Sequence, residues 1–154
     1  MPGTIIGGTY TTGVTLLTNP TTIAATGYVS NTATNGIAVS GPTGTAWTLT
    51  NQGLISETAS GGIGVSFAQS GTVINTSGGM ITAAGDGVVL NGGGVVTNAS
   101  GGTITGALGV EANNAAATVV NAGSIGATGA AAAGLQVSDG GQVTNQSGGT
   151  ITGY

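Results

Sequence analysis

Three observations in the sequence predict an all-β protein with the fold of a parallel β-helix, also called a β-solenoid. A short motif recurs with a period near 23 residues, which lies in the range of solenoid repeats. Within each repeat the apolar residues alternate with a period of two, which indicates strands. Glycine, serine and asparagine separate these apolar stretches, as turns require. We therefore expect one domain over residues 1–154, with about six coils of about 23 residues and three short strands in each coil.

The repeat is clearest between residues 87–98 and 134–145, which align over twelve residues without a gap. An asparagine closes each copy, and the five asparagines from Asn51 to Asn145 are spaced by 24, 23, 23 and 24 residues. A side-chain amide can donate a hydrogen bond to the copy above it and accept one from the copy below. The spacing therefore predicts an asparagine ladder. Its expected members are Asn19, Asn51, Asn75, Asn98, Asn121 and Asn145.

Each of the three strands predicts one set of apolar side chains that points into the core. A single coil cannot bury these side chains, but the coils on either side can cover them. The second strand contributes Leu17, Leu49, Val73, Val96, Val119 and Val143. The third strand contributes an isoleucine ladder formed by Ile5, Ile23, Ile55, Ile81, Ile104, Ile125 and Ile151.

One step of the isoleucine ladder is longer than the others. Ile23 and Ile55 are separated by 32 residues, which exceeds the period of about 23. The surplus predicts loop insertions near residues 27–35 and 41–46.

The composition excludes several classes of function. The chain has no Lys, Arg, His or Cys, and four acids give it a formal net charge of −4. Disulfides, metal sites built on His or Cys, and Lys or Cys nucleophiles are therefore impossible, and nucleic acid would be repelled. The acids fall in non-equivalent positions of the repeat, whereas glycoside hydrolysis needs two paired carboxyl groups. We expect a protein that is not an enzyme, uses no cofactor or metal, and has no transmembrane segment.

The outward positions of the second strand predict a flat face of threonine and valine without charge. Its threonines are Thr48, Thr50, Thr72, Thr97, Thr118 and Thr144. Such a face could bind ice or carbohydrate, or it could pack against another rod. The ordinary preference of β-branched residues for strands explains it equally well.

The two ends of the chain look alike in sequence. Residues 3–7 and residues 149–153 both resemble the third strand of a coil, so we expect the rod to begin and end in phase. Neither end carries a polar cap, and an uncapped end presents open strand edges and an apolar cross-section to a second copy. Such a head-to-tail contact makes an open filament. The residues expected at this contact are Thr4, Ile5, Ile6, Thr150, Ile151 and Thr152.

The motif Val-Thr-Asn-x-Ser-Gly-Gly-Thr-Ile-Thr-Gly occurs at residues 96–106 and 143–153, each preceded by a Gly-Gly run. This pattern resembles the β-strand-repeat passenger regions of bacterial autotransporters and related haemagglutinin-like adhesins. The resemblance covers residues 51–154 well and residues 3–50 more loosely. It implies a right-handed β-helix, a bacterial surface or extracellular location, and a role in adhesion or as a stalk. The first residues lack the basic and apolar regions of a signal peptide. We therefore expect an excised segment or an independent subunit.

Together these observations predict a non-catalytic extracellular structural protein. We expect the rod to associate with itself head to tail into a fibre, or to form part of an adhesin stalk that meets a host or matrix surface. The alternative is a module that binds ice or carbohydrate through the threonine and valine face.

Overall fold

The computed structural model describes residues 3–130 and 132–154. In these residues the chain forms twenty short strands and no helix, and all pairings between the strands are parallel. Successive strands enter sheets A, B and C in turn, and each strand pairs with the strand three places further along the chain. The predicted parallel β-helix of about six coils is therefore confirmed. The described residues contain no helix that is long and apolar enough to cross a membrane.

The three sheets run along the rod. Sheet A contains β1 (Thr4–Ile6), β4 (Thr21–Ile23), β7 (Trp47–Asn51), β10 (Gly71–Asn75), β13 (Gly94–Asn98), β16 (Ala117–Asn121) and β19 (Gly141–Asn145). Sheet B contains β2 (Thr9–Tyr10), β5 (Tyr28–Asn31), β8 (Leu54–Glu57), β11 (Met80–Ala83), β14 (Thr103–Gly106), β17 (Ser124–Ala127) and β20 (Thr150–Thr152). Sheet C contains β3 (Val14–Thr15), β6 (Ile37–Gly41), β9 (Ile63–Phe67), β12 (Val88–Leu90), β15 (Val110–Ala112) and β18 (Leu135–Val137).

The core lies between the three sheets and consists of stacked aliphatic side chains. In sheet A it contains Leu49, Val73, Val96 and Val119, in sheet B Ile55, Ile81, Ile104 and Ile125, and in sheet C Val39, Val65, Val88 and Val110. All of these side chains are fully buried. The strand register places each one directly over its equivalent in the next coil, so every coil buries the apolar face of its neighbours.

The asparagine ladder runs along the last position of the sheet A strands. Asn51, Asn75 and Asn98 each donate through Nδ2 to the Oδ1 of the next asparagine, at 2.9, 2.9 and 2.8 Å. Asn121 continues the ladder to Asn145 at 2.8 Å. Each of these donors also bonds one carbonyl at the corner that follows its strand and one carbonyl in sheet B of the next coil, as Asn75 does to Gly79 and Thr103. The ladder therefore fixes both the register of the sheet and the shape of its corners.

The prediction that Asn19 belongs to this ladder is wrong. Thr21 pairs with Leu49 and Ile23 pairs with Asn51, so Ile23 takes the ladder position in its coil and Ile6 takes it in the first coil. Asn19 lies on the corner before β4. There its side chain donates to the carbonyl of Ala46 and accepts from the amide of Thr48, each at 2.9 Å.

Two members of the predicted isoleucine ladder also lie elsewhere. Ile23 is buried in sheet A, and Val29 takes the expected place below Ile55 in sheet B. Ile5 lies in sheet A on the outer face, where it is 74 % exposed. Leu17, which was expected to point inward, is 86 % exposed, whereas the adjacent Leu16 fills the core.

The predicted loop over residues 27–35 is also wrong in part, because Tyr28–Asn31 form strand β5 of sheet B. Only the five residues 32–36 connect β5 to β6. Residues 42–46 form the connection between β6 and β7, and the indole nitrogen of Trp47 closes it with a hydrogen bond to the carbonyl of Pro42 at 2.7 Å.

The ladder predicts a large loss of stability for Asn98→Ala. The substitution leaves the Oδ1 atom of Asn121 and the carbonyls of Gly102 and Ser124 without the donor that Asn98 supplies, and it removes one of the three acceptors of Asn75. We expect the free energy of unfolding to fall by about 2–4 kcal/mol, measured by chemical denaturation. Gln52→Ala is the matched control at an exposed corner, and we expect a change within about 0.5 kcal/mol. Equal losses for the two variants would contradict a structural role for the ladder.

Candidate functional site

The strands that the sequence indicated for end-to-end contact lie at opposite ends of the rod but in different sheets. Thr4, Ile5 and Ile6 form β1, the outermost strand of sheet A. Thr150, Ile151 and Thr152 form β20, the outermost strand of sheet B. The expectation that the rod begins and ends in phase is therefore wrong. In a stack that continues all three sheets, β1 would lie on β19 and β2 would lie on β20.

The C-terminal end presents an apolar cross-section. Val143 points along the core column of sheet A and is 46 % exposed, because no described coil covers it. Leu135, Val137 and Ile151 are half-buried and pack against the same core. Strands β18, β19 and β20 each pair on one side only, so their other edges carry open backbone groups.

The N-terminal end is concave, and both apolar and hydroxyl-bearing side chains line it. A cavity of about 310 Å³ opens between the first strands of the three sheets. Its apolar lining includes Ile6 from sheet A, Tyr10 from sheet B, Val14 from sheet C and Leu16 just after it. The rest of the lining carries hydroxyl groups, on Thr4, Thr15, Thr18 and Thr21. The exposed side chain of Leu17 lies at its edge. The two ends therefore share an apolar character but differ in shape.

The outer face of sheet A carries all six threonines that the sequence assigned to a flat face. The register arranges the outer residues into two columns, one with Thr48, Thr72, Val95, Thr118 and Gln142, the other with Thr50, Ile74, Thr97, Val120 and Thr144. The second column alternates between threonine and an aliphatic residue, whereas Val95 and Gln142 interrupt the threonines of the first, and neither column carries a charge.

The corners between sheets A and B differ in length from coil to coil. Four residues follow Asn75, Asn98 and Asn145, whereas two residues follow Asn51 and Asn121. Next to the short corner after Asn121 the surface is recessed into a notch of about 250 Å³. Hydroxyl groups and glycine backbone dominate its lining, which is formed by Ser100, Gly101, Gly102, Thr103, Ala122, Gly123, Ser124, Gly148 and Thr150.

Three of the four acids lie at or near the surface. Asp86 accepts a hydrogen bond from the amide of Leu108 at 3.1 Å, and the carboxylate of Asp139 accepts one from the amide of Asn114 at 2.6 Å. Burial raises the pKa of Asp86, the bond from Leu108 lowers it, and the negative charge of Glu111 raises it further. The described part of the chain contains no group of three metal-ligating side chains.

Glu57, the fourth acid, is buried at the inner end of β8 with 1 % of its surface exposed. Its Oε1 accepts a hydrogen bond from the amide of Ala59 at 3.0 Å, but its Oε2 has no hydrogen-bond partner among the described residues. Asn31 holds the equivalent position in the preceding coil. There the amide group accepts from Ala33 and also donates to the carbonyl of Ile37.

Two features of the structure, the short corner beside the notch and the buried Glu57, could have been predicted from the sequence. Shortened motifs at residues 51–55 and 121–125 mark two of the short corners, and the notch lies beside the second of them. The alternation of residues in β8 places Glu57 on the same side as Ile55, which is the side of the core. An acid at an inward position of a strand therefore indicated a buried carboxyl group.

Comparison with protein-family models, with curated proteins and with solved structures found no match for this chain.

We predict that Glu57→Gln stabilises the fold. In the preceding coil the amide nitrogen of Asn31 donates to the carbonyl of Ile37. Glu57 pairs with Asn31 and Ile63 pairs with Ile37, so an amide nitrogen in place of Oε2 would donate to the carbonyl of Ile63. Supplying a donor to a buried position without one is worth about 1–2 kcal/mol. Chemical denaturation at pH 7 measures the gain. The control is Asp139→Asn, which removes the charge of an exposed acid and keeps an oxygen that accepts from the amide of Asn114. A loss of stability in Glu57→Gln would show that the carboxyl group has a partner of its own.

The raised pKa of Asp86 predicts a pH dependence with a definite sign. The folded state holds this proton more tightly than the unfolded state, so the free energy of unfolding falls as the pH rises from the ordinary value of 3.8 through the raised pKa. Asp86→Asn keeps an oxygen that can accept from Leu108 but cannot ionise. We expect it to remove this slope, measured as the melting temperature between pH 3 and pH 7.

Glu111→Gln provides a graded comparison for this slope. It removes the smaller of the two causes that raise the pKa of Asp86, so it should reduce the slope without abolishing it. A slope that is unchanged in Asp86→Asn would assign the pH dependence to another acid.

Proposed function

We propose that this chain is a non-catalytic structural protein, a β-solenoid rod whose ends accept further coils. In the simplest form a second copy supplies those coils, and the protein grows head to tail into an extracellular fibre. The same end chemistry would serve the coils of a longer adhesin stalk at a bacterial surface. The observation that carries the proposal is that both ends expose open strand edges around an apolar cross-section.

The backbone groups at the two ends have complementary directions. Along the rod, the amide that follows each ladder position donates to the ladder residue of the preceding coil, as Gln146 does to the carbonyl of Asn121. By this pattern the carbonyl of Asn145 points out of the C-terminal end. The amide of Gly7, which corresponds to Ala24 of the next coil, points out of the N-terminal end. A head-to-tail stack brings this donor onto that acceptor.

Sheet B repeats this complementarity. The amide of Thr150 donates to the carbonyl of Gly123, and the amide of Tyr28 donates to the carbonyl of Gly8. The equivalent groups at the ends are the carbonyl of Gly149 and the amide of Thr9. Sheets A and B therefore both continue across the contact, with β1 on β19 and β2 on β20.

Sheet C distinguishes this contact from an interior step of the rod. It has six strands, whereas sheets A and B have seven each. A stack that continues sheets A and B therefore leaves one strand position of sheet C open between β18 of one copy and β3 of the next. Most of the contact is supplied by the other two sheets and by the apolar side chains between them.

Electrostatics offer little resistance to such a stack. The chain has four acids and no basic side chain, so the charge per coil is small and an ion pair cannot set the contact. Screening by salt should therefore change the association little. Burial of apolar surface is the main driving force, at about 25 cal/mol for each Å² removed from water.

The outer face of sheet A supports a second candidate function, which is the binding of ice or of a carbohydrate surface. The supporting observation is that six threonines lie on this face in two registered columns. The columns are interrupted by Ile74, Val95 and Val120, which weakens the match to a regular lattice. This function predicts thermal hysteresis in solution, which association through the ends does not.

Val143→Asp tests the head-to-tail proposal. A carboxylate at this half-exposed position would be buried against the N-terminal end of the next copy. The register places Thr4 over it there, and the chain has no basic side chain to pair with it, so its burial costs several kcal/mol. We expect the unchanged protein to sediment as species that grow with concentration and to form fibres in electron micrographs. Val143→Asp should sediment as a monomer with an intact circular dichroism spectrum.

Thr97→Asp is the matched control, because it adds the same charge to the outer face of sheet A. It should leave the fibres intact, and it should abolish any thermal hysteresis if the threonine face is functional. A monomeric unchanged protein at high concentration, or fibres that persist in Val143→Asp, would refute the head-to-tail contact.

A further inference from the structure

The notch between sheets A and B arises from a difference in corner length. The four-residue corners after Asn98 and Asn145 both have the sequence x-Ser-Gly-Gly, and both extend outward. The coil between them turns with Ala122 and Gly123 alone. The two longer corners therefore face each other across a gap that a third corner of the same length would have filled.

The backbone geometry of these corners shows which groups face the gap. Gly78, Gly101 and Gly148 hold the same corner position with φ values of 79°, 80° and 82°, in the left-handed region that favours glycine. Where two long corners are direct neighbours, the amide of Gly78 donates to the carbonyl of Gly101 at 3.3 Å. Because Gly101 and Gly148 have the same conformation, the amide of Gly101 points into the notch toward the C-terminal end of the rod. The carbonyl of Gly148 points into the notch from the opposite side, toward the N-terminal end.

Neither of these two groups has a backbone partner among the described residues. In direct neighbours the amide nitrogen and the carbonyl oxygen are 3.3 Å apart, as in Gly78 and Gly101. The missing corner adds one strand spacing of about 4.8 Å. The amide nitrogen of Gly101 and the carbonyl oxygen of Gly148 therefore lie about 8 Å apart. One atom cannot bridge this distance. Two oxygen atoms about 2.8 Å apart can, with a hydrogen bond of about 2.9 Å at each side.

We propose that the notch binds a pair of adjacent hydroxyl groups, the vicinal diol of a neutral carbohydrate. One hydroxyl oxygen accepts from the amide of Gly101, and the other hydroxyl donates to the carbonyl of Gly148. The side chains of Ser100 and Ser124 line the same space and can bond further hydroxyl groups. This site lies apart from the threonine face of sheet A and does not depend on association through the ends.

The chemistry of the lining favours a neutral ligand. The residues around the notch include no acid and the chain has no basic side chain, so neither an anion nor a cation finds an opposite charge. The volume of about 250 Å³ admits one sugar ring. Water molecules would occupy the same donor and acceptor in the absence of the ligand, and the diol replaces two of them with atoms joined by a covalent framework.

The experiment is a titration followed by NMR on the ¹⁵N-labelled full chain with Val143→Asp, the variant that we expect to be monomeric and whose changed residue lies outside the notch lining. The probes are methyl mannopyranoside and cis-1,2-cyclohexanediol, with cyclohexanol as the control that has one hydroxyl group. We expect both diols to shift the amide signals of Gly101 and Ser124 in a saturable way. Cyclohexanol should produce no saturable shift, because one hydroxyl group cannot bridge the gap.

A Ser-Gly insertion between Ala122 and Gly123 tests the location of the site. It restores the corner sequence of the neighbouring coils, and its new glycine carbonyl would accept from the amide of Gly101 and fill the notch. The matched control is the same insertion between Gln52 and Gly53, another two-residue corner between sheets A and B. Both variants should keep their melting temperature, since coils with the longer corner already occur in this chain.

Loss of the diol-induced shifts in the first insertion and their retention in the second would support the site. Absence of saturable shifts in the chain without an insertion would overturn the proposal, as would equal binding in both insertion variants. Ser124→Ala provides a change with little risk to folding and should weaken the shifts.

Discussion

The fold depends on one constraint, the requirement that each residue lies over its equivalent in the next coil. The buried asparagine ladder imposes this register most strictly. Each amide from Asn51 to Asn121 bonds the next asparagine at 2.8–2.9 Å. It also bonds one carbonyl at its own corner and one in the next coil. A coil shifted by one residue would leave these buried groups without partners and would turn its core residues outward. The apolar columns of all three sheets therefore follow from the ladder.

The sequence predicted the fold well where the ladder is present and poorly where it is absent. From Asn51 onward, the recurring asparagine marks the end of each sheet A strand, and the positions of the other strands follow by counting. Before Asn51, Ile6 and Ile23 take the ladder position. An isoleucine fits a buried place in any of the three sheets, so its identity does not reveal which sheet contains it. For the same reason the sequence could not distinguish Leu16, which fills the core, from its exposed neighbour Leu17.

Surface features that depend on one strand could be predicted from the sequence, whereas those that depend on several coils could not. Alternation along a strand was sufficient to place six threonines on the outer face of sheet A. The lengths of the corners were also visible in the sequence. Their consequence was not, because the open amide of Gly101 results from the relation of three successive coils that are far apart along the chain. The phase of the two ends likewise depends on the total number of strands, which only the complete structure supplies.

The direction of the ladder bonds has a consequence for any material built from this rod. From Asn51 to Asn121 every side-chain amide donates to the next asparagine toward the C-terminal end, so the small dipoles of the side chains add along the axis. At Asn145 the row stops with its nitrogen bonded to Gly149 alone. The rod therefore has a direction along its axis, and its two ends differ chemically. A bundle that alternates the orientation of its members would cancel this polarity, whereas one with a common orientation would accumulate it.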